Sequence, residues 1–243
     1  MGKTLSKAAL AIILSKLAVF EDPNVKLEQY NLDSENTAEI LWNAYLQGDI
    51  EDKIIMDMGC GTGIIGIGAI MLGAKKVYFV DIDGKTLEVL KKNISEVFNE
   101  NETGNENEID DKETKEKIVI INDDVNNIQR AGKSPKEASL ELSKEMNIIK
   151  EDIDVIITNP PFGVKKKHAD KEFLEKAFEI SDKVYSIHKG ESRGFIEKIC
   201  EDKGFELTHC QKFEFPLKNT QAFHKRRIYR IECIWTRMIR KTT

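Results

Sequence analysis

At 243 residues the chain is long enough for one sizeable α/β domain with a buried core, or at most two small ones. Its 40% hydrophobic and 33% charged residues describe a highly charged soluble protein, and the longest apolar stretch near the N-terminus, Ala8 to Leu14, is too short for a membrane span and has no small-residue cleavage site after it. The net charge of −5 hides an asymmetry: residues 1–159 hold 18 Lys and Arg against 30 Asp and Glu, whereas residues 160–243 hold 19 against 12. The second part also carries all four histidines, so an RNA or DNA backbone would dock there, although a solvated basic face reads the same way. Cys60, Cys200, Cys210 and Cys233 form no CxxC pair and no Cys/His cluster, so no metal site is expected, and reduced thiols in a cytoplasmic protein are the default.

Taken in chain order, residues 5–20 predict a helix that ends before the turn Asp22-Pro23-Asn24. Residues 34–47 predict a second, with Ile40, Leu41, Ala44 and Tyr45 on one side. Lys53–Met58 is a short apolar strand, Gly59–Gly63 a glycine turn, and Ile64–Leu72 a helix with small residues at Gly66, Gly68 and Ala69. Lys76–Asp81 is the next strand and Thr86–Phe98 the next helix, an alternation that predicts a parallel, doubly wound sheet. Two polar insertions interrupt it, at about 99–117 and 130–150, the second with a short helix over Pro135–Met146. Strands are expected at Ile118–Asn122, Ile153–Thr158 and Val184–His188, with helices over 170–182 and 192–203. Phe205–Phe215 and Arg227–Met238 then form a hairpin around the basic loop 218–226. Seven strands without internal repeats make one domain over residues 1–243.

The turn Asp57-Met58-Gly59-Cys60-Gly61-Thr62-Gly63 sits between the first strand and its helix, where missing Cβ atoms let a ligand lie against the backbone. Gly61-x-Gly63-x-x-Gly66 matches a dinucleotide fingerprint, with the acid Asp81 at the expected distance for ribose, so a nicotinamide enzyme is a real competitor. Three features favour S-adenosylmethionine instead. Asp57 would repel a phosphate but suits a methionine amino group. Asp123-Asp124 follows the third strand, where an adenine amine could be held, and Asn159-Pro160-Pro161-Phe162 follows the fourth, where a dehydrogenase has no use for it.

That tetrapeptide suits one chemistry well. The Asn159 side-chain oxygen and the Pro160 carbonyl can accept hydrogen bonds from a planar exocyclic amine, consecutive prolines stiffen both acceptors, and Phe162 offers a face for a base.

On these residues the chain resembles the class I S-adenosylmethionine-dependent methyltransferases. More narrowly it resembles the methyltransferase-like protein 5 family, adenine-N6 methyltransferases of small-subunit ribosomal RNA. The narrower likeness lies in Leu27-Glu28-Gln29-Tyr30, Ala69-Ile70-Met71-Leu72-Gly73-Ala74, Asn159-Pro160-Pro161-Phe162-Gly163, Val184-Tyr185-Ser186-Ile187-His188-Lys189 and Phe223-His224-Lys225. It covers most of residues 7–240 outside the two insertions. The resemblance implies a seven-stranded Rossmann-like sheet, mostly parallel with an antiparallel last strand and helices on both faces, and an N-terminal region, residues 1–48, covering the cofactor. It implies a cofactor site of Gln29, Tyr30, Asp57, Gly59, Cys60, Gly61, Gly63, Asp81, Ile82, Asp124, Val125 and Asn159, and a target-base loop of Asn159, Pro160, Pro161 and Phe162. Candidate RNA contacts are Lys165, Lys166, Lys167, His188, Lys189, Phe223, His224, Lys225, Arg226 and Arg227. A small zinc-ribbon activator protein is the partner the family implies. One position departs: Leu32 stands where the family commonly has Thr.

Other acceptors remain open, since guanine N2 in RNA and a protein glutamine are also planar amines held by such loops. A non-catalytic rRNA-binding assembly factor is the reading from another class.

Overall fold

Short aliphatic and β-branched runs, bounded by charges or glycine turns, become buried strands because both of their faces are covered. The computed structural model describes residues 5–20, 32–98, 116–130, 147–162, 169–218 and 228–242. Its elements run α1 (Lys7–Leu14), α2 (Ser34–Leu46), β1 (Ile54–Met58), α3 (Ile64–Met71), β2 (Lys76–Asp81), α4 (Gly84–Phe98) and β3 (Ile118–Asn122). They continue with β4 (Ile128–Arg130), β5 (Asn147–Ile149), β6 (Val155–Thr158), α5 (Ala169–Ile180), β7 (Lys183–Lys189), α6 (Arg193–Lys203), β8 (Phe205–Lys218) and β9 (Ile228–Arg240).

Seven strands form one sheet in the order β3-β2-β1-β6-β7-β9-β8, parallel through β7, with β9 antiparallel to both its neighbours. The chain runs outward from β1 to β3 and then returns to place β6 on the other side of β1. That reversal opens a crevice beyond the carboxyl ends of β1 and β6, the usual ligand position in such sheets. Thr158 Oγ1 donates to the Met58 carbonyl at 2.6 Å and locks the two strand ends together there.

The period-2 alternation of strands sorts the core onto two faces. Ile55, Phe79, Val155, Ile157 and Tyr185 pack with Leu10, Leu14, Leu41 and Ile67 of α1–α3. Met56, Val80, Ile156 and Val184 pack with Leu174 and Phe178 of α5 and Ile196 of α6.

Three expectations change. The first helix ends at Leu14 rather than 20, because Asn93 takes over the backbone beyond it: Ala18 N–H donates to Asn93 Oδ1 at 2.8 Å and Asn93 Nδ2 donates to the Ala18 carbonyl at 3.0 Å. The second polar insertion contains a strand, β5, which pairs in parallel with β4 in a separate two-stranded sheet. The proposed helix over 135–146 and most of both insertions lie outside the described residues. The terminal hairpin is longer than its apolar pattern, pairing from Phe205 with Arg240 to Lys218 with Ile228. β7 pairs with β9 only as far as Cys233, so the distal hairpin overhangs the carboxyl edge of the sheet.

At the opposite edge an ion cluster ties α2 to β7 and β9. Asp49, 1% exposed, accepts from Tyr185 Oη at 2.7 Å and Arg237 Nε at 2.8 Å and pairs with Lys183. Burial pushes the Asp49 carboxyl up, but hydrogen bonds from Lys183, Tyr185 and Arg237 outweigh it and hold the group below the usual carboxylate range. A depressed folded pKa means that this stabilisation is full above the ordinary Asp value and is lost as pH falls through the folded one. Asp49→Ala leaves the Lys183 and Arg237 cations facing each other without their anion. The expected loss in urea unfolding at neutral pH is about 3 kcal/mol, and a loss below about 1 kcal/mol would contradict a cluster of that weight.

Candidate active site

Asp57, the fourth residue of β1, is fully buried beneath the glycine turn. Its Oδ2 accepts from the Gly66 amide at 2.8 Å, so it caps the first turn of α3 from below, while Oδ1 is buried without a hydrogen-bond partner. Gly63, which precedes α3, is left-handed (φ +88°) and has no side chain to cap with, so Asp57 supplies the acceptor that the first turn lacks. Burial, eased by the Gly66 bond and worsened by Asp81, pushes its carboxyl up to about 7.

The turn above it is stitched to β2. Gly59 and Cys60 amides both donate to the Val80 carbonyl, at 2.8 and 3.0 Å. Gly61 N–H donates to Asp81 Oδ2 at 2.8 Å, and Asp83 N–H to Asp81 Oδ1 at 2.9 Å. Desolvation, partly offset by these bonds, raises the Asp81 carboxyl above its ordinary value. Gly61 is left-handed (φ +53°), and a Cβ there would lie 2.9 Å from the Phe20 ring. A Cβ at Gly59 would meet Phe173 of α5 at 3.0 Å, so an aromatic ring covers the turn on each side.

The remaining expected cofactor residues line the same carboxyl edge. Cys60 and Val125 are buried, and Ile82, beside Asp81, is 55% exposed. Asp124 Oδ1 accepts from the Asn126 amide and side chain, both at 2.9 Å. The Cys60 thiol is raised well above its ordinary value by burial, then by Asp57 and Asp81, which makes it a poor nucleophile. Gln29 and Tyr30 lie outside the described residues. Leu32, at the departure from the family pattern, is 5% exposed in the core under α1–α3, so it serves packing there and makes no polar contact.

Asn159 follows β6 directly, and its Oδ1 is buried with no hydrogen-bond partner. Phe162 is half-buried, meeting the Phe215 ring edge-on at 6.0 Å between centroids and 78° between planes. It is therefore part of a packed aromatic pair rather than a freely exposed ring.

His188 corrects an expectation. It is 1% exposed with Nε2 unpartnered, and burial lowers its pKa to about 3, so it is a neutral core residue without charge for a phosphate. Lys189 ends β7 and is half-buried. Lys165, Lys166, Lys167, Phe223, His224, Lys225, Arg226 and Arg227 lie outside the described residues.

Sequence reasoning missed Phe20, Asn93, Phe173 and Phe215. Asn93 left a signal: it falls on the buried stripe of α4 with Leu87 and Leu90, where an amide must find partners, and besides Ala18 it donates to the Thr62 carbonyl at 2.9 Å.

A family model described as ribosomal protein L11 methyltransferase (PrmA) matches residues 36–130, which include the glycine turn but stop short of Asn159. Protein MJ0284 of Methanocaldococcus jannaschii, itself uncharacterized, is 33% identical over 233 residues, 95% of this chain and 92% of its own length. The rRNA N6-adenosine-methyltransferase METTL5 of Danio rerio is 28% identical over 217 residues, 88% of this chain and 89% of its own. The chain belongs to one family with MJ0284, and it is similar to the METTL5 methyltransferases over most of its length. Its fold is that of the crystal structure of PH1948 from Pyrococcus horikoshii, provisionally described as an RNA methyltransferase, with 36% identity, a TM-score of 0.75 and coverage of 97% of this chain and 98% of the other. Among the described residues no group of His, Cys, Asp and Glu has the makings of a metal site, and no helix is long and apolar enough to cross a membrane.

The Asp57 carboxyl titrates near 7 when folded and near 3.8 otherwise, so its ionisation opposes folding. Its contribution is fully present below the unfolded value and is lost as pH rises through the folded one. Asp57→Asn keeps an acceptor for the Gly66 amide and removes the titration. Urea unfolding from pH 5 to pH 8 is expected to show the variant gaining on the parent by on the order of 1–3 kcal/mol. Parallel pH profiles would mean that Asp57 titrates normally.

Proposed function

We propose that this chain is an S-adenosylmethionine-dependent RNA methyltransferase that methylates N6 of an adenine in small-subunit ribosomal RNA. The observation that carries the reading is the buried, unpartnered Asn159 Oδ1 beside two consecutive prolines, at the sheet's crevice and in line with the glycine turn. A polar atom taken out of water without a partner costs free energy, and a ligand amine that supplies the missing hydrogen bond recovers it.

The residues present fit a cationic sulfonium ligand better than a dinucleotide. The amides a pyrophosphate would need are already given to carboxylates, Gly61 N–H to Asp81 and Gly66 N–H to Asp57. Two acids at the turn attract a cation and repel a phosphate. Asp81 would take ribose hydroxyls, Ile82 would pack an adenine ring, and Asp124, whose Oδ1 bonds to Asn126, would take the adenine amine. Gln29, Tyr30, Asp57, Gly59, Cys60, Gly61, Gly63 and Val125 complete this assignment, with residues 1–48 as the covering part of a single methyltransferase domain over 1–243. When bound, S-adenosylmethionine supplies an electrophilic methyl group.

The chain's own task is to prepare the acceptor. An adenine N6 lone pair is delocalised into the ring, which makes it a weak nucleophile. Accepting a hydrogen bond from each N6–H, at Asn159 Oδ1 and the Pro160 carbonyl, turns that lone pair out of the ring plane. No base is needed beforehand, since the proton leaves only after nitrogen has become cationic. The work is positioning and exclusion of water. A paired base cannot reach this loop, so single-stranded or bulged RNA is the substrate form, with Phe162 against the extruded base. Lys165, Lys166, Lys167, Lys189, Phe223, His224, Lys225, Arg226 and Arg227 are the assigned RNA contacts. The relatives named as rRNA N6-adenosine methyltransferases support this acceptor over guanine or glutamine. A cytoplasmic setting and a zinc-ribbon activator protein complete the proposal.

Incubation with labelled S-adenosylmethionine and unmodified small-subunit RNA is expected to give N6-methyladenosine on nucleoside mass spectrometry. Asn159→Ala is expected to lower the rate at least about 100-fold while leaving cofactor affinity within a few-fold. N2-methylguanosine, or label in protein, would overturn the acceptor. Cofactor binding without any transfer, with the activator present, would favour the assembly-factor reading.

A further inference from the structure

The distal part of the β8–β9 hairpin, which overhangs the carboxyl edge, meets two other parts of the fold at once. Phe215, on β8, is 0% exposed and packs its ring edge-on against Phe162, the last residue of the Asn-Pro-Pro-Phe loop. Phe213 sits beside it, at 6.4 Å between ring centroids. One residue before Phe215, the Glu214 carbonyl accepts from Asn36 Nδ2 of α2 at 3.1 Å. That amide is itself oriented, because Asp33 at the head of α2 accepts from Asn36 Nδ2 at 2.5 Å and from the Asn36 backbone N–H at 3.0 Å. The two Nδ2 hydrogens are thereby assigned, one to Asp33 and one to the hairpin backbone.

A side chain held by Asp33 thus pins β8 next to Phe215, and Phe215 in turn bears on Phe162. We infer that Phe215 and Asn36 are positioning residues for the acceptor loop: they hold Phe162, and through the two prolines the Asn159 amide, in the geometry that receives the target base. This rests on the reading of Asn159–Phe162 as the acceptor loop. The physical argument is one of stiffness. Asn159 Oδ1 has no protein hydrogen bond to fix its direction, so its aim depends on the backbone that carries it. Pro160 and Pro161 fix φ at two positions and leave the far end, Phe162, as the point where that backbone is anchored. An edge-to-face aromatic contact gives that anchor a preferred direction as well as contact area. Neither residue needs to touch RNA or cofactor for this role.

Two variants test it, Asn36→Ala, which keeps the α2 cap Asp33, and Phe215→Leu, which keeps an apolar side chain in the buried position. Each is compared with the parent at saturating RNA and cofactor, and by hydrogen exchange of the Asn159 and Phe162 amides. Expected are a fall in kcat of about tenfold, cofactor affinity unchanged within about twofold, and exchange of those amides several-fold faster. Asn36→Gln, which restores a donor, is expected to recover part of the kcat. If only KM for RNA rises while kcat and exchange stay at the parent values, the hairpin is a binding arm and the inference is overturned. The exchange measurement needs no RNA. A parent protein without RNA methylation would therefore refute the proposed function, and unchanged amide exchange would separately refute the coupling.

Discussion

The Asp57 carboxylate, sealed under the glycine turn, is the interaction on which the rest of the site depends. It spends one oxygen on the first turn of α3 and keeps the other unpartnered in the core. That placement is costly for a charge, and two things ease it: the Gly66 amide and the positive end of the helix above it. In return it sets where α3 starts, and therefore where the Gly59–Gly63 backbone must turn. β2 answers from the side, with Asp81 holding Gly61 and the Val80 carbonyl holding Gly59 and Cys60. The turn is thus tied from below and from one side.

The Asn159–Phe162 side is built differently. Thr158 ties β6 to the end of β1, so the Asn159 amide emerges beside the glycine turn at a fixed height. Beyond Asn159 the two prolines and aromatic packing stiffen the loop. Phe162 leans on Phe215, and the hairpin that carries Phe215 is held by Asn36 from the opposite end of the chain. The glycine turn and the Asn159–Phe162 loop are therefore positioned by different devices: a buried acid for one, aromatic packing on a strand overhang for the other.

Stability and chemistry are separated along the strands. The satisfied ion cluster of Asp49, Lys183, Tyr185 and Arg237 lies at the amino ends, away from the crevice. A groove of about 690 Å³ near those same ends, between α5 and β4, contains cations that are already neutralised, Arg130 by Asp152, Lys203 by Glu175 and Arg240 by Asp182. The unpartnered Asp57 and Asn159 oxygens stand at the carboxyl ends of β1 and β6.

The local pattern of residues determined the sheet strands, the glycine turn, the acid at the end of β2 and the Asn-Pro-Pro-Phe loop, because each is set by side chains adjacent in the chain: period-2 aliphatic runs, clustered glycines, paired prolines. The same pattern overran at residue 15 and missed β4 and β5, since a clamp by Asn93, 75 residues away, and a pairing across an insertion leave no local mark. His188 shows the limit most plainly. The family likeness of Val184–Lys189 implied an RNA contact there, yet the place of His188 on β7 turns it into the core, where desolvation keeps it neutral. Phe20 over Gly61, and Phe215 with Asn36 behind the Asn159–Phe162 loop, were likewise decided by tertiary structure alone, because a contact between residues far apart in the chain exists only once the sheet has brought them together.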